Sequence, residues 1–207
     1  ARAAAQVLPA GAVLVLADVA GELPGLAAAS GRGGDVIGLT LSRPAGRGTG
    51  AAGALAEVLA PAGASAQAVA TGVALARAVK ARPVVTRVPL TDAIAAAIER
   101  GAAAAVDYGA HPYAVDLALV GWGLPEGPFA VRDRLNRTTD ALPGPAAVMR
   151  HVAEALDRRG RTGSASGAGL YLFDGPTGAL TEDTELAAIL SAARAAAGRP
   201  VRPTRAI

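Results

Sequence analysis

The chain has 207 residues, 52% of them hydrophobic, with a formal net charge of +3 and no cysteine. That size suffices for one large buried core or two small ones; the missing cysteines exclude a disulfide framework, a thiolate nucleophile and a cysteine-based zinc site, and fit a cytoplasmic protein. Acidic residues are interspersed throughout and no run of five Lys/Arg occurs, so the pI near 9.9 is no nucleic-acid footprint, although it favours an anionic small molecule such as a nucleotide or a coenzyme A ester. Lys80 is the only lysine, and Ala and Gly abound beside Arg, which reads as GC-rich bacterial coding bias. The longest uncharged stretch, 58–76, is broken by Pro61 and Gly63 and is no membrane span. The first residue is not Met, so the chain reads as beginning inside a longer polypeptide.

In chain order, "GAVLVLA" (11–17), "DVIGLTL" (35–41), "ALAEVLA" (54–60) and "RPVVTRV" (82–88) are short apolar runs bounded by Gly, Pro or charge, as buried strands are. Between the last two, "SAQAVATGVALARAVK" (65–80) predicts a helix with Ser65 as N-cap and Arg77 and Lys80 near its end. Beyond residue 90 the spacing becomes helical over 91–110, 112–122, 144–160 and 181–198, with no strand alternation. The expected organisation is an α/β domain over 1–88 and an all-helical domain over 89–207.

Gly48, Gly50 and Gly53 in "GRGTGAAG" match the G-x-G-x-x-G spacing of a dinucleotide loop. Such a loop also needs an acidic residue about 20 positions on, at the end of the next strand. Here that count falls in "VATGVALA", a helical stretch without a carboxylate. The glycines therefore read as a strand-to-strand connection, with no cofactor bound by this chain.

Three segments of the second half carry a more specific pattern. "VGWGLPEGPFAVRD" (120–133) resembles the G-F-G-F-P-M-G-P-F-x-x-x-D signature of the C-terminal domain of 3-hydroxyacyl-CoA dehydrogenases. "GSASGAGLY" (163–171) resembles that family's G-x-K-T-G-x-G-F-Y, and "YGAHPYAVDLAL" (108–119) its E-G-x-x-P-x-x-I-D-x-A-x. Gly127 and Pro128 then turn the chain into a helix, and the later glycines form a tight turn before Tyr171. In the first half, "LPAGAVLVLADVA" (8–20), "GDVIGLTLSRP" (34–44) and "LARAVKARPVVTRVPLTD" (75–92) are similar to the family's P-x-G-A-I-L-A-S-N-T-S, V-I-G-L-H-F-F-N-P and L-x-K-x-P-V-V-V-x-D-x-P-G-F-I-x-N-R.

The resemblance implies a reduced Rossmann-like domain, lacking the nucleotide-binding first half, followed by the helical dehydrogenase domain. In the family a His, oriented by a Glu, takes the 3-hydroxyl proton while hydride leaves to NAD, and Ser and Asn side chains hold the substrate oxygen. Thr40 stands at the His position, Val19 at the Ser position and Asp92 at the Asn position. Glu57 is the counterpart of the orienting Glu, provided the glycine-rich segment is an insertion; its other reading is a buried carboxylate paired with an Arg such as Arg43. Thr40 cannot act as a general base at neutral pH. The expected role is the C-terminal, scaffold half of an NAD-dependent 3-hydroxyacyl-CoA dehydrogenase of fatty-acid or related acyl-CoA metabolism, with 3-hydroxybutyryl-CoA the expected substrate. It would be inactive alone and served by an upstream catalytic half of the same polypeptide.

The alternatives are a non-catalytic acyl-CoA-binding domain and a divergent enzyme using Glu57 or Asp92 as base. His111 reads as a solvated cap and His151 as part of an exposed helix face, and no metal-ligand spacing occurs. Helix 91–110 is apolar nearly all round, which predicts burial on more than one side and a homodimer through the helical domain.

Overall fold

A computed structural model describes residues 7–17, 22–42, 54–140, 146–175 and 177–199. Two compact units divide it, Ala1–Ile94 and Ala95–Ile207.

In the first unit, β1 (Leu14–Ala17), α1 (Leu23–Ser30), β2 (Val36–Ser42), β3 (Leu55–Leu59), α2 (Ala66–Ala78) and β4 (Arg82–Thr86) follow in that order. The four-stranded sheet runs β1-β2-β3-β4. β1 is parallel to β2 and β3 to β4, each pair bridged by a helix, whereas β2 and β3 are antiparallel. Strand residues alternate between faces, so Val36 and Leu59 meet Leu23 and Ala27 of α1, while Ile37 and Val58 meet Ala68 of α2. Gly72 is where α2 presses on the sheet: a Cβ there would lie 2.4 Å from Ile37 Cδ1 and 2.8 Å from Val58 Cγ1. Ser65 caps α2, its hydroxyl accepting from Ala68 N–H at 3.1 Å. Helix α1 lies in a stretch without an expected element, because Pro24 and Gly25 punctuate it like a turn. Pro24 is tolerated in the first turn, and Gly31 closes the helix in the left-handed region at φ 69°.

Helix α3 (Leu90–Asp107) follows, and then α4 (Pro112–Trp122), α5 (Pro128–Arg134), α6 (Ala147–Asp157), β5 (Tyr171–Phe173), β6 (Leu180–Glu182) and α7 (Leu186–Ala196). The second half is not all-helical: β5 and β6 form an antiparallel hairpin with Tyr171 opposite Glu182. The expected helix over 181–198 accordingly starts only at Leu186, because Thr181 and Glu182 are spent on the hairpin. The core of this unit joins Ala103 and Val106 of α3 to Phe129, Val152, Leu156, Leu170, Leu186 and Leu190.

Candidate functional site

Glu57 sits in the middle of β3, directly opposite Thr40 of β2 and Val84 of β4. Opposed residues share a face, with Cβ atoms about 5 Å apart across an antiparallel pair. The register thus brings Thr40 and Glu57 together across the glycine-rich segment. Gly48, Gly50, Gly53, Val19 and Arg43 lie outside the described residues.

The Glu57 carboxylate is buried, at 5% exposure, and its partners are its own neighbours in the fold. Oε1 accepts from Thr86 Oγ1 at 2.8 Å and Leu90 N–H at 2.5 Å. Oε2 accepts from Thr91 N–H at 3.1 Å and Thr91 Oγ1 at 2.8 Å. Burial pushes its pKa up, but the bonds from Leu90, Thr91 and Thr86 outweigh that and hold it below the ordinary 4.5. Glu57 is therefore an ionised cap on the positive end of α3. With two donors on each oxygen it has little acceptor capacity left, and its depressed pKa is the opposite of what a general base at neutral pH requires. Asp92 lies in the first turn of α3 and is exposed, whereas Thr40 is half-buried.

The other helix starts of this unit are built differently: Glu22 makes no side-chain cap bond at α1, and a hydroxyl caps α2. At α1, Glu22 occupies the N-cap position and Pro24 withdraws an N–H. At α2, the Ser65 hydroxyl donates to Asp35 Oδ1 at 2.9 Å. A pyrophosphate needs free amides at a helix N-terminus; at α2 an amide is taken by Ser65 and at α3 two are taken by Glu57, whereas α1 has no such cap bond.

In the second unit the three sequence signatures converge on two buried aspartates that motif reading left without a role. Asp116, from the 108–119 segment, accepts from Phe129 N–H at 3.0 Å and Ala130 N–H at 2.9 Å and so caps α5. It also accepts from Tyr171 Oη at 2.9 Å. Asp133 accepts from Tyr171 N–H at 2.8 Å and Thr138 Oγ1 at 2.6 Å. The signature glycines make room for these carboxylates: a Cβ on Gly127 would lie 2.1 Å from Asp116 Cγ, and one on Gly169 2.3 Å from Asp133 Oδ1. Burial raises the pKa of Asp116 and of Asp133 despite these bonds. Burial also pushes the Tyr113 hydroxyl up to about 12, and Tyr171 is raised as well. Tyr113 donates to Leu170 C=O at 2.6 Å and accepts from Asp183 N–H at 2.8 Å. Every polar group in this cluster spends its bonds on holding α4, α5 and the hairpin together.

His111 caps α4, as expected, but it is not solvated. It is half-buried, and its Nδ1 accepts from Tyr113 N–H at 3.4 Å. Burial lowers its pKa below 6.5, with Glu182 opposing and Arg194 reinforcing. His151 pairs with Glu154 at 3.2 Å on α6. No group of three His, Cys, Asp or Glu suited to a metal ion occurs among the described residues, and no helix among them is long and apolar enough to cross a membrane.

No protein-family profile and no curated protein matches the chain. Solved structures do. An (S)-3-hydroxybutyryl-CoA dehydrogenase from Ralstonia eutropha superposes with a TM-score of 0.64 at 18% identity, over 84% of this chain and 64% of that one. A diketoreductase superposes with a TM-score of 0.55 at 21% identity, over 82% of this chain and 62% of that one. The dehydrogenase part of multifunctional enzyme 1 from C. elegans gives 0.53 at 19% identity, over 84% of this chain and 39% of that one. The chain thus spans less than two thirds of the length of each of these. At such identities the likeness is one of architecture: a reduced Rossmann-like unit followed by a mainly helical one, the fold of the 3-hydroxyacyl-CoA dehydrogenases.

Proposed function

We propose that this chain is the C-terminal portion of an NAD-dependent 3-hydroxyacyl-CoA dehydrogenase of fatty-acid or related acyl-CoA metabolism, acting as its scaffold half, with 3-hydroxybutyryl-CoA the substrate of the whole enzyme. In that reading, an upstream catalytic half passes the hydride of the substrate C3–H to NAD and the 3-hydroxyl proton to its own base. This chain supports it from the cytoplasm and pairs with a second copy through its helical unit.

The observation that carries the reading is the Thr40–Glu57 register. A position resembling the family's His faces a position resembling its Glu, but a hydroxyl replaces the imidazole, and the carboxylate is committed to α3. Proton abstraction needs a base whose pKa lies near the working pH, within hydrogen-bond reach of the hydroxyl. Neither Thr40 nor Glu57 meets that need, which also weighs against a divergent enzyme built on Glu57. The starts of α2 and α3, capped by Ser65 and Glu57, speak against NAD binding by this chain alone.

The test is a spectrophotometric assay of the isolated chain with 3-hydroxybutyryl-CoA and either NAD or NADP, beside calorimetric titration with NAD and with an acyl-CoA. The expected result is no turnover above the blank and no NAD heat. One-site micromolar NAD binding or measurable turnover would refute the scaffold reading. Acyl-CoA binding without turnover would favour a binding domain instead.

A further inference from the structure

Two glycine-containing loops meet at the end of the first unit's sheet where β2 begins and β3 and β4 end. One precedes β2 and carries Gly33 and Gly34; the other follows β3 and carries Gly63. Only glycine fits at 34, since a Cβ there would lie 2.5 Å from the Gly63 carbonyl oxygen. The Ser65 N–H donates to Gly34 C=O at 2.8 Å, and the Ala60 N–H donates to Thr86 C=O at 2.8 Å. Both loops and the end of β4 are thereby tied together. Beside them lies a cavity of about 750 Å³ that α1 also lines, a size within the range of about 300–1,000 Å³ that small-ligand sites occupy.

The walls set the chemistry of what fits. Pro24, Ala28, Pro61 and Ala62 offer aliphatic surface, and no aromatic ring stands among the described lining residues. An aliphatic body is accommodated there, whereas a nucleobase finds nothing to stack on. Arg87, directly after β4, is the one charged side chain among the same residues. Its guanidinium is exposed and makes no ion pair or hydrogen bond among the described residues. The amides of Gly33, Gly34 and Gly63 make none either. Asp35, next to Gly34 in sequence, does not line the cavity and accepts from the Ser65 hydroxyl at 2.9 Å. The cavity thus carries a cation without a countercharge, and a guanidinium's paired donors match the two oxygens of a carboxylate or phosphate.

We propose that this cavity binds a small aliphatic oxyanion, its carboxylate or phosphate on Arg87 and its hydrocarbon body against the proline and alanine walls. The scaffold reading makes no use of this end of the sheet, so either can fail without the other.

The test follows the backbone amide resonances of the 207-residue chain while hexanoate, hexyl phosphate or hexanol is added. The expected result is saturable shifts of Gly33, Gly34 and Gly63 with at least one of the two anions, the tighter one identifying the head group, and none with hexanol. Arg87→Gln removes a charge that holds nothing in the fold, and is expected to weaken binding about tenfold while leaving the urea midpoint unchanged. Ala28→Leu, at an exposed helical position that tolerates Leu, is expected to fill the cavity and suppress the shifts. No saturation by either anion up to about 10 mM would overturn the proposal. So would hexanol binding as tightly as the anions, or an Arg87→Gln chain that binds as tightly as wild type.

Discussion

Replacing Glu57 by Gln removes one charge and turns one carboxylate oxygen into an NH₂ group, with almost no change in volume. Whichever oxygen becomes nitrogen, it meets two donors: Thr86 Oγ1 and Leu90 N–H on one side, or Thr91 N–H and Oγ1 on the other. A threonine hydroxyl can rotate away, but the backbone N–H cannot, and an unsatisfied buried donor costs about 1–3 kcal/mol. Losing the anion at the start of α3 adds about 0.3–1 kcal/mol, or up to ~2 in a partly buried setting. The expected loss of stability is therefore about 2–4 kcal/mol at pH 7, against about 1 kcal/mol for Thr86→Val, which removes a single hydroxyl donor. Urea unfolding followed by circular dichroism measures both.

The pH dependence gives a second check on the same residue. Because the folded-state pKa of Glu57 lies below 4.5, its contribution is present above the unfolded value and fades as pH falls through the folded one. The gap between wild type and Glu57→Gln should narrow on acidification below about pH 4.5. A Glu57→Gln protein within about 0.5 kcal/mol of wild type at pH 7 would refute the claim that this carboxylate anchors α3.

Three further outcomes follow from the same geometry. Gly127→Ala forces Asp116 aside, since its Cβ would sit 2.1 Å from Asp116 Cγ, and should cost about 2–4 kcal/mol in denaturant unfolding, more than the ~1.5 kcal/mol of Tyr171→Phe, which deletes one bond to that carboxylate. Lys80→Gly should raise stability by about 1 kcal/mol in the same assay, because Lys80 holds φ 60° at the end of α2, a left-handed conformation that glycine adopts freely. With its pKa lowered, His111 contributes stability that is present above pH 6.5 and lost as pH falls; His111→Asn, which caps without titrating, should flatten the thermal-stability profile between pH 7 and 5, and an unchanged slope would count against a pKa lowered by burial.

Local signals were enough for the elements that own their pattern. The apolar runs at 35–41 and 54–60 became β2 and β3, the run at 82–88 became β4, an exposed edge strand and not the buried one expected, and Ser65 with a periodic stretch behind it became the start of α2, since strands and capped helices state their rule within a few residues. The resemblance to the dehydrogenase fold was likewise legible in short glycine, proline and aspartate patterns. The β5–β6 hairpin was not, because its strands are three residues each, too short for alternation to register. Helix α1 was hidden by Pro24 and Gly25, whose cost depends on position in a helix that sequence had not located.

What the glycine signatures mean physically was decided only by the tertiary structure. Gly127 and Gly169 stand against Asp116 and Asp133, residues remote in sequence, and no periodicity encodes such an approach. The same holds for Glu57. Sequence marked it as a carboxylate in an apolar strand and left open a base, an orienting partner or an ion pair. Its chemistry was settled by α3, whose first amides begin 33 positions later and arrive at its two oxygens only when β3, β4 and the helix have packed.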